Sequence, residues 1–400
     1  MSRNKGLSAK RLRDSKLFTG VSFLAVVVSL GAVATMLDHR AAAQGKATVQ
    51  APKFEVDPLW PKPLPQNWTL GNAIGIAVDG KDNVWMLHRT GGVNDNFKTP
   101  GASCCTVAPP ILGFDQAGNL IGSWGGPGQG FTWPDSNHGL WIDHNGDFWI
   151  GGNGDKDTQV LKFTPTGKFL LQIGTHGVHN GSNDTANLWK ATEGSVDKAA
   201  NELYVGDGYG NKRVIVFDSV NGRYKRHWGA YGNKPEDTNF GNYDPDAPAL
   251  KQFRSPVHCA EISNDNLIYA CDRQNDRVQV FHTDGRFVKE GFIAKQTRGA
   301  GSVWDIAFSR DPQQKYIYLA DGGNHNIHIL LRDTLEELTT IGSGGRLPGQ
   351  FYGTHNLITD THGNLYVAET YAGRVQKFVY KGLGPVTKKD QGVVWPRSTR

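Results

Sequence analysis

The chain has 400 residues, a formal net charge of +5, 50 glycines, 19 prolines and three methionines. So much glycine calls for turns and short strands, not long helices. The charge sits in the first 16 residues, where Arg3, Lys5, Lys10, Arg11, Arg13 and Lys16 face only Asp14. The remainder is nearly neutral, which excludes nucleic acid and anionic membrane surfaces as electrostatic partners.

Behind that basic stretch, Leu17 to Leu37 is uncharged and mostly apolar, and Ala41, Ala42 and Ala43 follow. Residues 1–43 therefore read as an export signal. The apolar run is also long enough to span a bilayer, so cleavage and retention as an N-terminal anchor both stay open. Either outcome puts the body in a periplasmic or secreted location, touching membrane only through the anchor. An oxidising compartment permits disulfides. Cys259 and Cys271 flank a turn at Asn264 and Asp265 and would face each other in one hairpin register and miss in the next. Adjacent Cys104 and Cys105 read as a surface pair without chemistry.

Residues 44–70 are proline-rich with little periodicity, as expected of a linker or of an edge strand laid on the body. After them a repeat begins. IGIAVDGKDNVWML, HGLWIDHNGDFWIG, TEGSVDKAANELYVGD, HCAEISNDNLIYACD, WDIAFSRDPQQKYIYLAD and HNLITDTHGNLYVAE start at Ile74, His138, Thr192, His258, Trp304 and His355. Each holds two strand-like runs around an Asp-containing turn. A third run follows, as in VLKF, RVIVF, RVQVF, NIHIL and RVQKF, then a glycine turn and a fourth. Gly-rich crossovers such as WGGPGQGFTWP and IGSGGRLPGQFYG join the units. The pattern resembles NHL-type repeats. A lone four-stranded meander cannot bury both faces, and radial stacking does so. The expected fold is therefore all-β, a six-bladed β-propeller over residues 71–384 with a tail at 385–400.

Equivalent positions of successive blades ring the channel of a propeller. The first residues of the aligned units read Ile74, His138, Thr192, His258, Trp304, His355. Histidine falls in blades 2, 4 and 6, so three imidazoles converge from alternate blades. Three neutral nitrogens with a fourth position open is the ligand set of a catalytic zinc site. Tyr209 follows the second strand of blade 3, and Arg89 and Arg273 end the second strands of blades 1 and 4. Two guanidiniums beside a metal suit a carboxylate-bearing substrate.

From about Gly71 to Tyr380 the chain resembles the peptidyl-hydroxyglycine alpha-amidating lyase family, the lyase domain of peptidylglycine alpha-amidating monooxygenase. The motifs are GIAVDGKDNVWMLHR, HGLWIDHNGDFW, YVGDGYGNKRVIVF, QFRSPVHCAEI, CDRQNDRVQVF and THNLITDTHGNLYV. The resemblance implies zinc on His138, His258 and His355, Tyr209 as base, and Arg89 and Arg273 around the substrate. It implies cleavage of a peptidyl-α-hydroxyglycine to a peptide amide and glyoxylate. It also implies a calcium ion on the carbonyls of Ile76 and Leu140 and on an aspartate after the third histidine. This chain has Asn356 there, which keeps a carbonyl oxygen and loses a charge. The family's cysteines are absent at the matching positions, Gly210 among them, and no copper monooxygenase domain accompanies the lyase-like part. A separate hydroxylating enzyme is then an expected partner, and the substrate a peptide or small molecule with a carboxylate.

Two other readings stay open. One is a non-catalytic propeller that binds a protein or glycan on one face. The other is a different metal-dependent propeller enzyme such as a calcium-dependent lactonase, which would gather carboxylates and Asn at the channel. The ring positions show three histidines and only Glu193 beside Thr192.

Overall fold

The aspartate shared by the repeats explains the inner hairpins. Asp79 Oδ1 accepts from the backbone N–H groups of Lys81 and Asn83, and its Oδ2 accepts from Trp85 Nε1 at 3.0 Å. Asp143 does the same for Asn145, Asp147 and Trp149, and Asp360 for His362, Asn364 and the Tyr366 hydroxyl. One side chain thus closes the turn and ties it to an aromatic of the following strand.

The computed structural model describes residues 49–90 and 105–396. The expected export segment, residues 1–43, and Cys104 lie outside the described residues. The compact unit Ala51–Arg400 carries the architecture. It is a six-bladed β-propeller built from six four-stranded sheets. The innermost strands of blades 1 to 6 are Ala73–Val78, Asn137–Ile142, Ala191–Asp197, Val257–Ile262, Asp305–Phe308 and Thr354–Thr359. Each packs against the next, and the sixth packs against the first, so the ring is closed.

Blade 6 takes Thr354–Thr359, Leu365–Glu369 and Arg374–Pro385 from late in the chain and its outer strand, Gln50–Asp57, from early in it. The proline-rich stretch therefore contributes a strand. Residues 388–394 lie along the same region, where Thr340 N–H donates to Lys389 O and Val56 N–H to Val394 O, each at 2.7 Å. Among the described residues, six apolar layers fill the spaces between neighbouring blades. Trp85 of blade 1 meets Phe148 of blade 2 edge-to-face at 5.0 Å in one of them.

The ends of the second strands are fixed by buried ion pairs. Asp207 accepts from Arg213 Nε at 2.8 Å and Asp272 from Arg277 Nε at 2.7 Å, all four side chains being fully buried. Glu369 and Arg374 repeat the pair in blade 6, and Asp321 and His328 take its place in blade 5. These anchors set the connections that lead to the channel mouth.

Candidate metal centre

A register shift near the start of the innermost strand recurs in every blade except the fifth. It lies between Val257 and Ala260 opposite Cys271, between His138 and Leu140, and between Thr354 and Asn356. An extra residue in one strand turns its side chain out of the alternating pattern. Here it turns the ring residues toward the axis. The same shift brings Cys259 opposite Cys271, and the two form a disulfide with Cα atoms 4.9 Å apart.

The three histidines meet. His138, His258 and His355 are buried, with ring centroids 4.8 to 5.0 Å apart, and one nitrogen from each lies within 4.8 Å of the others. Every Nδ1 faces an oxygen: Thr192 O for His138 at 3.3 Å, Trp304 O for His258, and Asn356 Oδ1 for His355. Donation from Nδ1 leaves the Nε2 lone pairs free to face inward, the orientation a metal ligand needs. Among the described residues His138 Nε2 is buried with no hydrogen-bond partner, which is costly unless something else binds it. Burial and the neighbouring histidines and arginines hold His138 and His258 well below the usual histidine range. Burial likewise brings His355 down to about 3, against the opposing Asn356 hydrogen bond. All three are neutral near pH 7.

Tyr209 stands beside them. Its hydroxyl lies 3.1 Å from His258 Nε2 and accepts from Arg273 Nη1 at 2.9 Å, and its ring lies edge-on to His138 at 5.0 Å. Arg273 begins a short 3-10 turn, Arg273–Asn275, and its guanidinium covers the ring of Trp304 at 4.3 Å. Arg89 donates from Nε to Asn137 O and from Nη2 to Asn153 Oδ1, both at 3.1 Å. Its charge reaches His138 and His355 without touching them.

The ring comparison gave Trp304 no role. It is buried, packs 5.8 Å from His258 and 5.5 Å from His355, and carries both Arg273 and the carbonyl that holds His258. Its occurrence in the histidine position of blade 5 was the available signal.

Ile76 and Leu140 line a cavity of about 490 Å³ at the channel, together with Glu193, Glu261 and Asp305. Asn356 links the histidines to these acids, its amide nitrogen donating to Glu193 and, at 3.4 Å, to Asp305. Burial and mutual repulsion push Glu193 and Glu261 well above the carboxylate range, and burial pushes Asp305 up to about 7. None of the three is in an ion pair among the described residues, and Asp305 Oδ1 has no partner. The channel thus holds more carboxylates than its ring positions showed, because Glu261 and Asp305 sit one to three residues further along their strands.

No protein-family model matches the chain. Peptidyl-glycine alpha-amidating monooxygenase A of Xenopus laevis is 25% identical over 339 residues, covering 81% of this chain. Over most of its length the chain is similar to the peptidylglycine alpha-amidating monooxygenases. It spans about a third of that first relative, 33% of its length. The Mus musculus enzyme is 31% identical over 135 residues, 33% of this chain and 12% of its own length. Among solved structures, an auxiliary nutrient binding protein from Bacteroides thetaiotaomicron covers 83% of this chain and 77% of its own at 12% identity, with a TM-score of 0.53. A protein of unknown function from the same organism gives 0.50 at 14% identity over 84% and 76%. At such identities both share the fold alone.

Proposed function

We propose that the chain is an exported zinc-dependent lyase that cleaves a peptidyl-α-hydroxyglycine, or a similar α-hydroxylated amide bearing a carboxylate, into an amide and glyoxylate. The observation that carries this reading is the set of three buried imidazoles with oxygen-held Nδ1 atoms and inward Nε2 atoms, next to Tyr209 and Arg273. The donor set fits zinc: three neutral nitrogens and room for a fourth ligand. Bound there, zinc would act as a Lewis acid toward the substrate hydroxyl.

This chain's own residues do the rest. Arg89 and Arg273 hold the carboxylate that departs within glyoxylate. With His258 Nε2 engaged elsewhere, the Tyr209 oxygen would be free to meet the substrate as a phenolate beside Arg273. That phenolate takes the substrate hydroxyl proton; the C–N bond breaks, its electron pair going to nitrogen as the new carbonyl forms. The proton passes to that nitrogen, which leaves as the amide. Arg273, 2.9 Å away, offsets the negative charge on the phenol oxygen during the transfer. The substrate arises from a separate hydroxylating enzyme.

Calcium is the second ion of this reading. Hard oxygen donors suit it, and Glu193, Glu261 and Asp305 supply charge that Asn356 lacks beside Ile76 and Leu140. The same carboxylates favour one other reading, a calcium-dependent hydrolase of lactonase type. The two separate in one assay. Glyoxylate released from an α-hydroxyglycine peptide, abolished by a zinc chelator and restored by zinc, supports the lyase. Lactone hydrolysis that follows calcium, with no glyoxylate, transfers the chemistry to the acidic cavity.

A further inference from the structure

Tyr209 is the second residue after Asp207, at the end of the second strand of blade 3. Tyr371 is the second residue after Glu369, at the same point of blade 6. In a six-bladed ring these blades are opposite, so a second phenol stands across the mouth from the first. Arg89 interacts with both. Tyr371 lies 6.5 Å from Trp304, the residue that covers two of the histidines, and 5.3 Å from Tyr352, which carries Arg346 on its other side. The rings form a continuous wall from the histidines to solvent. Tyr371 is 51% exposed and Tyr352 37%, and neither phenol is hydrogen-bonded among the described residues.

The wall is held in place. Thr370 N–H donates to Gly353 O at 2.8 Å, Ala372 N–H to Tyr352 O at 3.2 Å, and Tyr352 N–H to Glu369 Oε2 at 2.7 Å. Gly353 has φ 75°, and a Cβ there would lie 2.4 Å from the Tyr371 ring. Only glycine lets the ring lie down against this turn. Two large exposed rings on a rigid support, their phenols without hydrogen bonds among the described residues, are the composition of a stacking surface.

We infer that Tyr371 and Tyr352 form a platform for the acyl side of the substrate and select an aromatic or flat apolar group there. The orientation rests on the lyase reading: with the carboxylate on the arginines and the reacting carbon at the histidines, the acyl half must leave the channel along this wall.

The test is calorimetric binding of N-benzoylglycine and N-acetylglycine, neither of which can be cleaved, to the full chain purified with its metal. The wild type should bind the benzoyl compound about tenfold more tightly. Tyr371→Ala should reduce that ratio to about twofold or less, and Tyr371→Phe should keep it. A wild type without preference, an unchanged ratio in Tyr371→Ala, or equal loss of both ligands would overturn the platform. Glyoxylate release from the matched α-hydroxy compounds is scored separately. No release with the ratio intact removes the lyase reading and leaves the platform; release without the ratio does the reverse.

Discussion

His138 Nε2 is the atom on which the residue-level account turns, because a buried nitrogen facing two other imidazoles without a hydrogen bond is explained by a ligand. Asn356 has contacts that the motif does not encode. The resemblance implies a weakened calcium ligand; in the structure its carbonyl oxygen faces His355 Nδ1 and its nitrogen faces Glu193. Asn356→Ala should therefore lower zinc affinity about 10- to 100-fold, read by competition with a chromogenic chelator. Tyr209→Phe should behave differently. Zinc content stays normal while kcat falls about 10²- to 10⁴-fold, and near-normal turnover would remove the phenol from proton transfer. The histidines and Tyr209 were legible because the repeat assigns them positions. Hydrogen bonds between blades were not, since no spacing in the sequence encodes which oxygen a ring nitrogen meets.

Strands and turns follow the sequence closely wherever Asp, Gly and alternating apolar residues set them, as at Asp79, Asp143 and Asp360. The shifts in the innermost strands were hidden, since one extra residue leaves the apolar alternation on either side intact. Gly139 shows their cost: it has φ 76°, and a Cβ would stand 1.8 Å from Thr192 O, the oxygen that receives His138. Gly139→Ala should destabilise the fold by about 2 kcal/mol or more and lose zinc, measured by denaturant unfolding and metal content. In the third strand of blade 5, burial opposes protonation of His328. Hydrogen bonds donated by its two ring nitrogens to Asp321 at 3.0 Å and Glu337 at 2.7 Å outweigh it and push His328 up to about 9. A folded-state value above the ordinary value of about 6.5 gives stability that is complete below that pH and is lost as pH rises toward 9. The effect is on the order of 3 kcal/mol. Wild type should therefore exceed His328→Gln in thermal stability at pH 6 and lose most of that margin at pH 9.5.

Closure of the ring depends on the chain's two ends meeting in blade 6, with Phe54 of Gln50–Asp57 edge-on to Tyr318 at 5.3 Å. Six blades were countable from six repeats, whereas the place of the last outer strand was not, because Gln50–Asp57 lies outside the repeat and its proline-rich surroundings suit a linker as well as an edge strand. Removing residues 1–57 should open the ring and abolish a single cooperative thermal transition, whereas removing residues 1–43 should leave it intact. A closed ring is also what lets blades 2, 4 and 6 aim at one point. The metal content of the full chain, by elemental analysis beside the His138→Ala, His258→Ala double variant, tests that convergence most directly. The account predicts about one zinc per chain in the wild type and none in the variant. A wild type that neither carries zinc nor takes it up, or a variant that keeps it, would contradict it.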